Sequence, residues 1–189
     1  MPIRVIGGKA RGRKLKLVPG DTTRPVRDIV KESLFNILGQ WVRGSRWLDL
    51  FAGTGSVGIE ALSRGADSCV FLDMSREAIR TIHENLQITG FEDRATVHRL
   101  DAFAFLESEP GVREDPFEVI YIAPPQYKGL WRRAVELIDQ RPGWLHPDGL
   151  AIVQIDPREY EELPLTNLEK TEERKYGKTL LVFYEYPSE

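Results

Sequence analysis

The residue pattern with the clearest chemistry lies in LDLFAGTGSVGIEAL (residues 48–62), where Gly53, Gly55 and Gly58 are spaced G-x-G-x-x-G and Asp49 stands four places before the first glycine. Glycines at this spacing let the backbone turn tightly and approach a ligand closely, across the carboxyl ends of neighbouring strands. Asp73 closes the strand-like SCVFLDM twenty residues after Gly53, where a carboxylate accepts from ribose hydroxyls. The pattern predicts a cofactor that carries adenosine, and both NAD and S-adenosylmethionine qualify. Three features favour S-adenosylmethionine. Asp49 suits a cationic amino acid group better than a pyrophosphate; no second nucleotide half or substrate domain follows; and Asp101, at the end of TVHRLD, is an acceptor for an adenine amine. A dinucleotide remains the alternative.

A second pattern lies in FEVIYIAPPQY (residues 117–127), an apolar run that stops at two prolines. Proline has no N–H, so the carbonyls of Ala123 and Pro124 form an edge that only accepts hydrogen bonds. Such an edge suits an amine.

Both patterns need a frame. RWLDLFAG, SCVFLDM, TVHRLD, FEVIYIAPP and GLAIVQID read as strands, while SVGIEALSRG, SREAIRTIHENLQITG, AFAFLE and LWRRAVELIDQ read as helices. Their alternation predicts an α/β fold, a parallel sheet wrapped by helices on both faces. NLEKTEERKYGKTLLVFYEY predicts a hairpin turning at YGK, which makes the last strand antiparallel. VRDIVKESLFNIL predicts an amphipathic helix with Pro25 in its first turn and Val26, Ile29, Val30, Ser33, Ile37 and Leu38 near one face. The 189 residues, 41% of them hydrophobic, suit a single domain: a basic arm and helix over 1–40 and a core over 46–189.

The net charge of −3 conceals a split. Residues 1–46 hold eleven Lys or Arg against three acids, a balance of +8, so the remainder carries −11. The basic end is centred on IRVIGGKARGRKLKLV, which reads as two short strands around Gly7, Gly8 and Gly12, and it predicts contact with a polyanion. One cysteine, Cys69, excludes an intramolecular disulfide and reads as a core residue. His83, His98 and His146 lack metal-ligand spacing, and no metal is expected. The carboxylates from Glu159 to Glu162 and from Glu169 to Glu173 read as solvated faces. With no apolar leader and no run of about 18 apolar residues, the expectation is a soluble, cytoplasmic monomer.

Taken in order, RVIGGKARGRKL, TRPVRDIVKESLFNIL, LDLFAGTGSVGIEALSRGA, FLDMSREAI and the A-P-P stretch resemble the RsmD-type bacterial methyltransferases, which methylate the exocyclic amine of a guanine in 16S ribosomal RNA. The resemblance covers residues 3 to about 155. It implies a class I, Rossmann-like methyltransferase fold, with a seven-stranded mixed sheet whose last strand is antiparallel, and S-adenosylmethionine as cofactor. It also implies ribosomal RNA or a small-subunit assembly particle as partner. By that resemblance Asp49, Gly53 and Gly55 line the methionine side, Phe51 and Ala52 also bind the cofactor, and Asp73 takes the ribose. Met74 flanks the adenine, with Asp101 and Ala102 at its amine edge. Arg24, Pro25, Phe35 and Asn36 sit beside the cofactor, and Arg4, Lys9, Arg11, Arg13, Lys14 and Lys16 neutralise RNA phosphates.

One departure bears on mechanism. The family usually carries D-P-P followed by an aromatic, whereas this chain has Ala123, Pro124, Pro125, Gln126 and Tyr127: the acid is missing and the aromatic sits one place later. The expectation is that the backbone edge and the Gln126 side chain replace the acid, while Tyr127 or Trp131 stacks the base. The alternatives are a catalytically weakened RNA-binding protein that retains its cofactor pocket, and an NAD-dependent oxidoreductase.

Overall fold

The computed structural model describes residues 3–20, 25–112 and 114–188. The chain gathers into two compact units, residues 1–100 and 101–189.

The first unit begins with the hairpin β1 (Ile3–Arg4) and β2 (Lys14–Leu15), antiparallel with Ile3 opposite Leu15. Ile3, Val5 and Leu15 are buried while Arg4, Lys14 and Lys16 are exposed, so the period-two alternation of a strand sends the cations outward. Helix α1 (Asp28–Leu38) starts later than the sequence predicts. Arg27 is its N-cap, so Pro25 precedes the first turn rather than lying in it. Its buried side is Val30, Lys31, Leu34, Phe35 and Leu38, and Ile29 is 58% exposed, a rotation from the expected face. The cause is Lys31, a polar residue that a hydrophobicity pattern assigns outward but that a buried carboxylate draws in. Strands β3 (Arg46–Asp49), β4 (Ser68–Asp73) and β5 (Ala95–Arg99) follow, joined by α2 (Ser56–Ser63) and α3 (Arg76–Thr89), and pair in parallel. All eight residues of α2 are buried. Ser75 caps α3 by accepting from the Ala78 N–H at 3.2 Å.

The second unit holds α4 (Ala102–Glu107), β6 (Phe117–Ile122), α5 (Leu130–Gln140), β7 (Leu145–Ile155), β8 (Glu169–Tyr176) and β9 (Thr179–Glu185). β6 and β7 are parallel, with Ile122 opposite Val153, and β7 begins four residues before the strand expected from GLAIVQID. β9 runs antiparallel to both β7 and β8, and the chain reverses at Gly177, whose φ is +59°. The strand order is β5-β4-β3-β6-β7-β9-β8, a mixed seven-stranded Rossmann-like sheet with the last strand antiparallel, as expected. Among the described residues no helix is long and apolar enough to cross a membrane.

Candidate active site

At the end of β3 the chain leaves the sheet while still tied to it, because the Ala52 N–H donates to the Leu72 carbonyl at 2.9 Å. Gly53 (φ +57°) and Gly55 (φ +79°) then take left-handed conformations, and Gly55 closes the turn by donating to the Ala52 carbonyl at 2.8 Å before α2 begins. The three glycines have different jobs. A Cβ on Gly53 would meet nothing within 4 Å, so the turn is open there to a ligand. A Cβ on Gly58 would lie 2.4 Å from the Phe71 ring and 2.8 Å from Cys69 Sγ; Gly58 is what lets α2 rest on β4.

Asp73 sets this turn as well as facing it. Its Oδ2 accepts from the Gly53 N–H and its Oδ1 from the Ser75 N–H, each at 2.9 Å, and each oxygen keeps lone-pair capacity for a hydroxyl. Asp49 is 2% exposed and accepts a hydrogen bond from the Gly58 N–H at 3.3 Å. Burial pushes its carboxyl up to about 7, against the pull of that bond. A buried carboxyl poised near neutrality ionises when a cation arrives. The arrangement therefore fits the amino group and ribose of an adenosylated amino acid. Phe51, two residues before Gly53, is half-buried, and Met74, next to Asp73, is 59% exposed.

Three polar residues that the sequence pattern did not single out hold the basic arm to this turn's helices. Glu60, fully buried, accepts from the N–H groups of Ile6 and Gly7 at 2.9 Å each and pairs with Lys31 at 3.4 Å and Arg64 at 2.8 Å. Burial lowers the pKa of Lys31 while Glu60 opposes the shift. Ser63 accepts from the Ala10 N–H at 2.9 Å and donates to the Gly7 carbonyl at 2.7 Å. Asn85, also fully buried, accepts from the Lys16 N–H at 2.7 Å and donates to the carbonyls of Lys16 at 3.1 Å and Thr54 at 2.9 Å. One amide thus ties the arm to the residue between Gly53 and Gly55. The six arm cations are exposed; Arg4 and Lys16 also meet Asp28 at 3.2 Å and Glu84 at 3.4 Å.

In the second unit, Ala123 and Pro124 are half-buried after β6, and Pro125, Gln126 and Tyr127 are exposed. Tyr127 has φ +64° and is held by Asp156, Arg158 and Glu159. Glu159 is thus engaged with backbone, not part of a solvated face. Trp131 is 2% exposed and stacks on Tyr160 at 6.1 Å, so it is core and not a platform for a base. Asp101 is exposed and caps α4, accepting from the Phe103 N–H at 2.8 Å; Ala102 is buried in the first turn.

The family model described as conserved hypothetical protein 95 matches residues 3–185. The chain belongs to this family. Among its relatives, YlbH of Bacillus subtilis (strain 168), provisionally named an rRNA methyltransferase, is 42% identical over 96% of this chain and 98% of its own. Ribosomal RNA small subunit methyltransferase D of Escherichia coli (strain K12) is 35% identical over 80% of this chain and 74% of its own. A solved Escherichia coli structure, yhhF, provisionally described as a methyltransferase, superposes with a TM-score of 0.84 at 32% identity over 98% of both chains.

In the N-terminal stretch that carried the resemblance, the structure separates the residues. Arg24 lies outside the described residues. Pro25 is half-buried and Asn36 is exposed on α1. Phe35 is 2% exposed, stacked on Trp47 at 5.4 Å under the Arg64 guanidinium at 5.1 Å, so it packs the core rather than facing a cofactor. Its apolar character could not distinguish the two roles.

Proposed function

We propose that this chain transfers a methyl group from S-adenosylmethionine to the exocyclic amine of a guanine in small-subunit ribosomal RNA, acting in the cytoplasm. The observation that carries the reading is the Asp49–Gly53–Asp73 turn: an open glycine corner with a buried carboxyl near neutrality on one side and an acceptor carboxylate on the other. The rRNA methyltransferase names of relatives covered over most of their length supply the substrate class.

Ionised Asp49 holds the cofactor's amino group, and Asp73 accepts from the ribose while still gripping Gly53. Asp101 and Met74 serve the adenine. When bound, the cofactor supplies a methyl group on a sulfonium that departs as a neutral thioether. The amine is the weak partner, since its lone pair is shared with the purine ring. The carbonyls of Ala123 and Pro124, with the Gln126 side chain, accept its N–H groups and free that pair, and the methylated nitrogen then gives up one proton to solvent. Holding the two reactants in line contributes up to about 7–11 kcal/mol, so positioning matters more than acid–base strength. Arg4, Lys9, Arg11, Arg13, Lys14 and Lys16 neutralise phosphates, which gives affinity without base choice.

Ala123 favours one rival, a cofactor-binding RNA partner with weakened chemistry. Labelled S-adenosylmethionine on small-subunit particles from a strain lacking the modification decides between them, with nucleoside analysis of the digested RNA. Label in a methylated guanine supports transfer; retention of RNA and cofactor with no label supports the rival.

A further inference from the structure

The segment after the two prolines is tied to a neighbouring turn by side chains that the mechanism above does not use. Tyr127 is the one non-glycine residue with positive φ among the described residues, a conformation in which Cβ crowds the following carbonyl. Its N–H donates to Glu159 Oε1 at 2.7 Å and its hydroxyl to Asp156 Oδ2 at 2.9 Å. Arg158 Nη2 donates back to that hydroxyl at 2.5 Å, with the guanidinium 5.6 Å from the ring centre.

The receiving turn is built to take this load. Asp156 directly follows β7, is 5% exposed and caps the single turn Pro157–Glu159. Its Oδ1 accepts from the Arg158 N–H at 2.9 Å and from Arg158 Nε at 3.1 Å, and Glu159 Oε2 accepts from the Asp156 N–H at 3.4 Å. Ile122, the last residue of β6, pairs with Val153 near the end of β7, so both segments leave the sheet at the same edge.

A carboxylate side chain adjusts its aim by rotating; a backbone carbonyl is aimed only by the torsions of the chain that carries it. The prolines fix φ at 124 and 125 and restrict the residues before them. Free torsions remain at Gln126, Tyr127 and Lys128, before Gly129 opens α5 at φ +65°. Tyr127, in the middle of the three, is the one the bonds above tether.

We propose that Asp156, Arg158 and Glu159 are positioning residues for methyl transfer, latching Tyr127 so that the carbonyls of Ala123 and Pro124 and the Gln126 side chain stay aimed where the motif acid is absent. This rests on reading that corner as the amine-binding edge. The ring of Tyr127, 58% exposed, is held ready by the same bonds.

Tyr127→Phe keeps the ring and removes the hydroxyl's bonds. Arg158→Ala, at a side chain 74% exposed, cuts the latch without opening the core. For both, amide exchange at residues 126–129 should quicken, and kcat for RNA methylation should fall about tenfold with the KM for cofactor unchanged, the pattern of a lost transition-state alignment. Glu159→Gln keeps an acceptor for the Tyr127 N–H and should recover most of the rate that Glu159→Ala loses. Unchanged exchange in both variants, or faster exchange at a wild-type kcat, overturns the latch alone. A wild-type protein that binds S-adenosylhomocysteine yet methylates no small-subunit RNA overturns the reading of the corner, and the latch's role with it.

Discussion

The glycine turn of the first unit and the proline corner of the second both hold backbone in shapes that most side chains resist, but by opposite means. At Gly53 and Gly55 the positive φ costs little, because the residue type permits it, and the surrounding tethers, Glu60 and Asn85, are fully buried. At Tyr127 the residue type opposes the conformation, and the tether runs partly through Arg158, whose side chain is 74% exposed. Buried tethers are inseparable from the fold. An exposed one can be cut with the fold intact, so the corner is where function and stability come apart.

The largest effect that would sharpen this contrast is expected at Glu60. Glu60→Ala takes the counter-charge from the buried Lys31 ammonium, leaving it the Arg4 carbonyl at 2.6 Å, and removes the acceptor of the half-buried Ile6 and Gly7 N–H groups, a loss of about 3–5 kcal/mol by the usual penalty for breaking a buried pair. Thermal unfolding should show it, whereas Arg158→Ala should leave the melting temperature near wild type. Gly58→Ala comes next. The approaches at 2.4 Å and 2.8 Å must open, costing about 1–3 kcal/mol of overpacking and roughly 2–4 °C in melting temperature per kcal/mol. An unchanged melting temperature in either variant would break the comparison from the buried side.

The two regions also differ in how readable they were. G-x-G-x-x-G announces itself because each glycine is there for a backbone reason, and Asp49 and Asp73 follow from strand ends. The strand and helix alternation made the seven-stranded sheet legible for the same reason: periodicity records which face is buried. Side-chain tethers leave no such record. Asn85 lies 69 residues from Lys16, Glu60 54 from Ile6 and Glu159 32 from Tyr127, so spacing could not connect them. The burial of Lys31 and the role of Phe35 are not legible either, because a period marks burial for apolar residues and exposure for charged ones, and neither rule sees a buried ion pair or tells core packing from ligand binding.

Smaller effects are expected in solution chemistry. The carboxyl of Asp49, near 7 in the folded chain against 3.8 unperturbed, contributes stability in full below about pH 4, and this is lost as pH rises to about 7. Affinity for a cationic ligand runs the other way. It should hold steady above pH 7 and fall about tenfold per unit below it, and Asp49→Asn should both weaken binding and flatten the profile. Smallest is the arm: reversing Lys9 and Arg11 should lower the salt slope of RNA binding by roughly 0.7 for each single-strand phosphate no longer neutralised, leaving cofactor affinity unchanged. A slope that does not move would mean the arm's charges meet no phosphate.

The most direct test of the central claim is a calorimetric titration at pH 8 with S-adenosylhomocysteine, repeated with NAD. The glycine turn between Asp49 and Asp73 should release heat with the former, lose that affinity in Asp73→Ala, and show none with NAD. Heat with the dinucleotide and silence with S-adenosylhomocysteine would contradict the account.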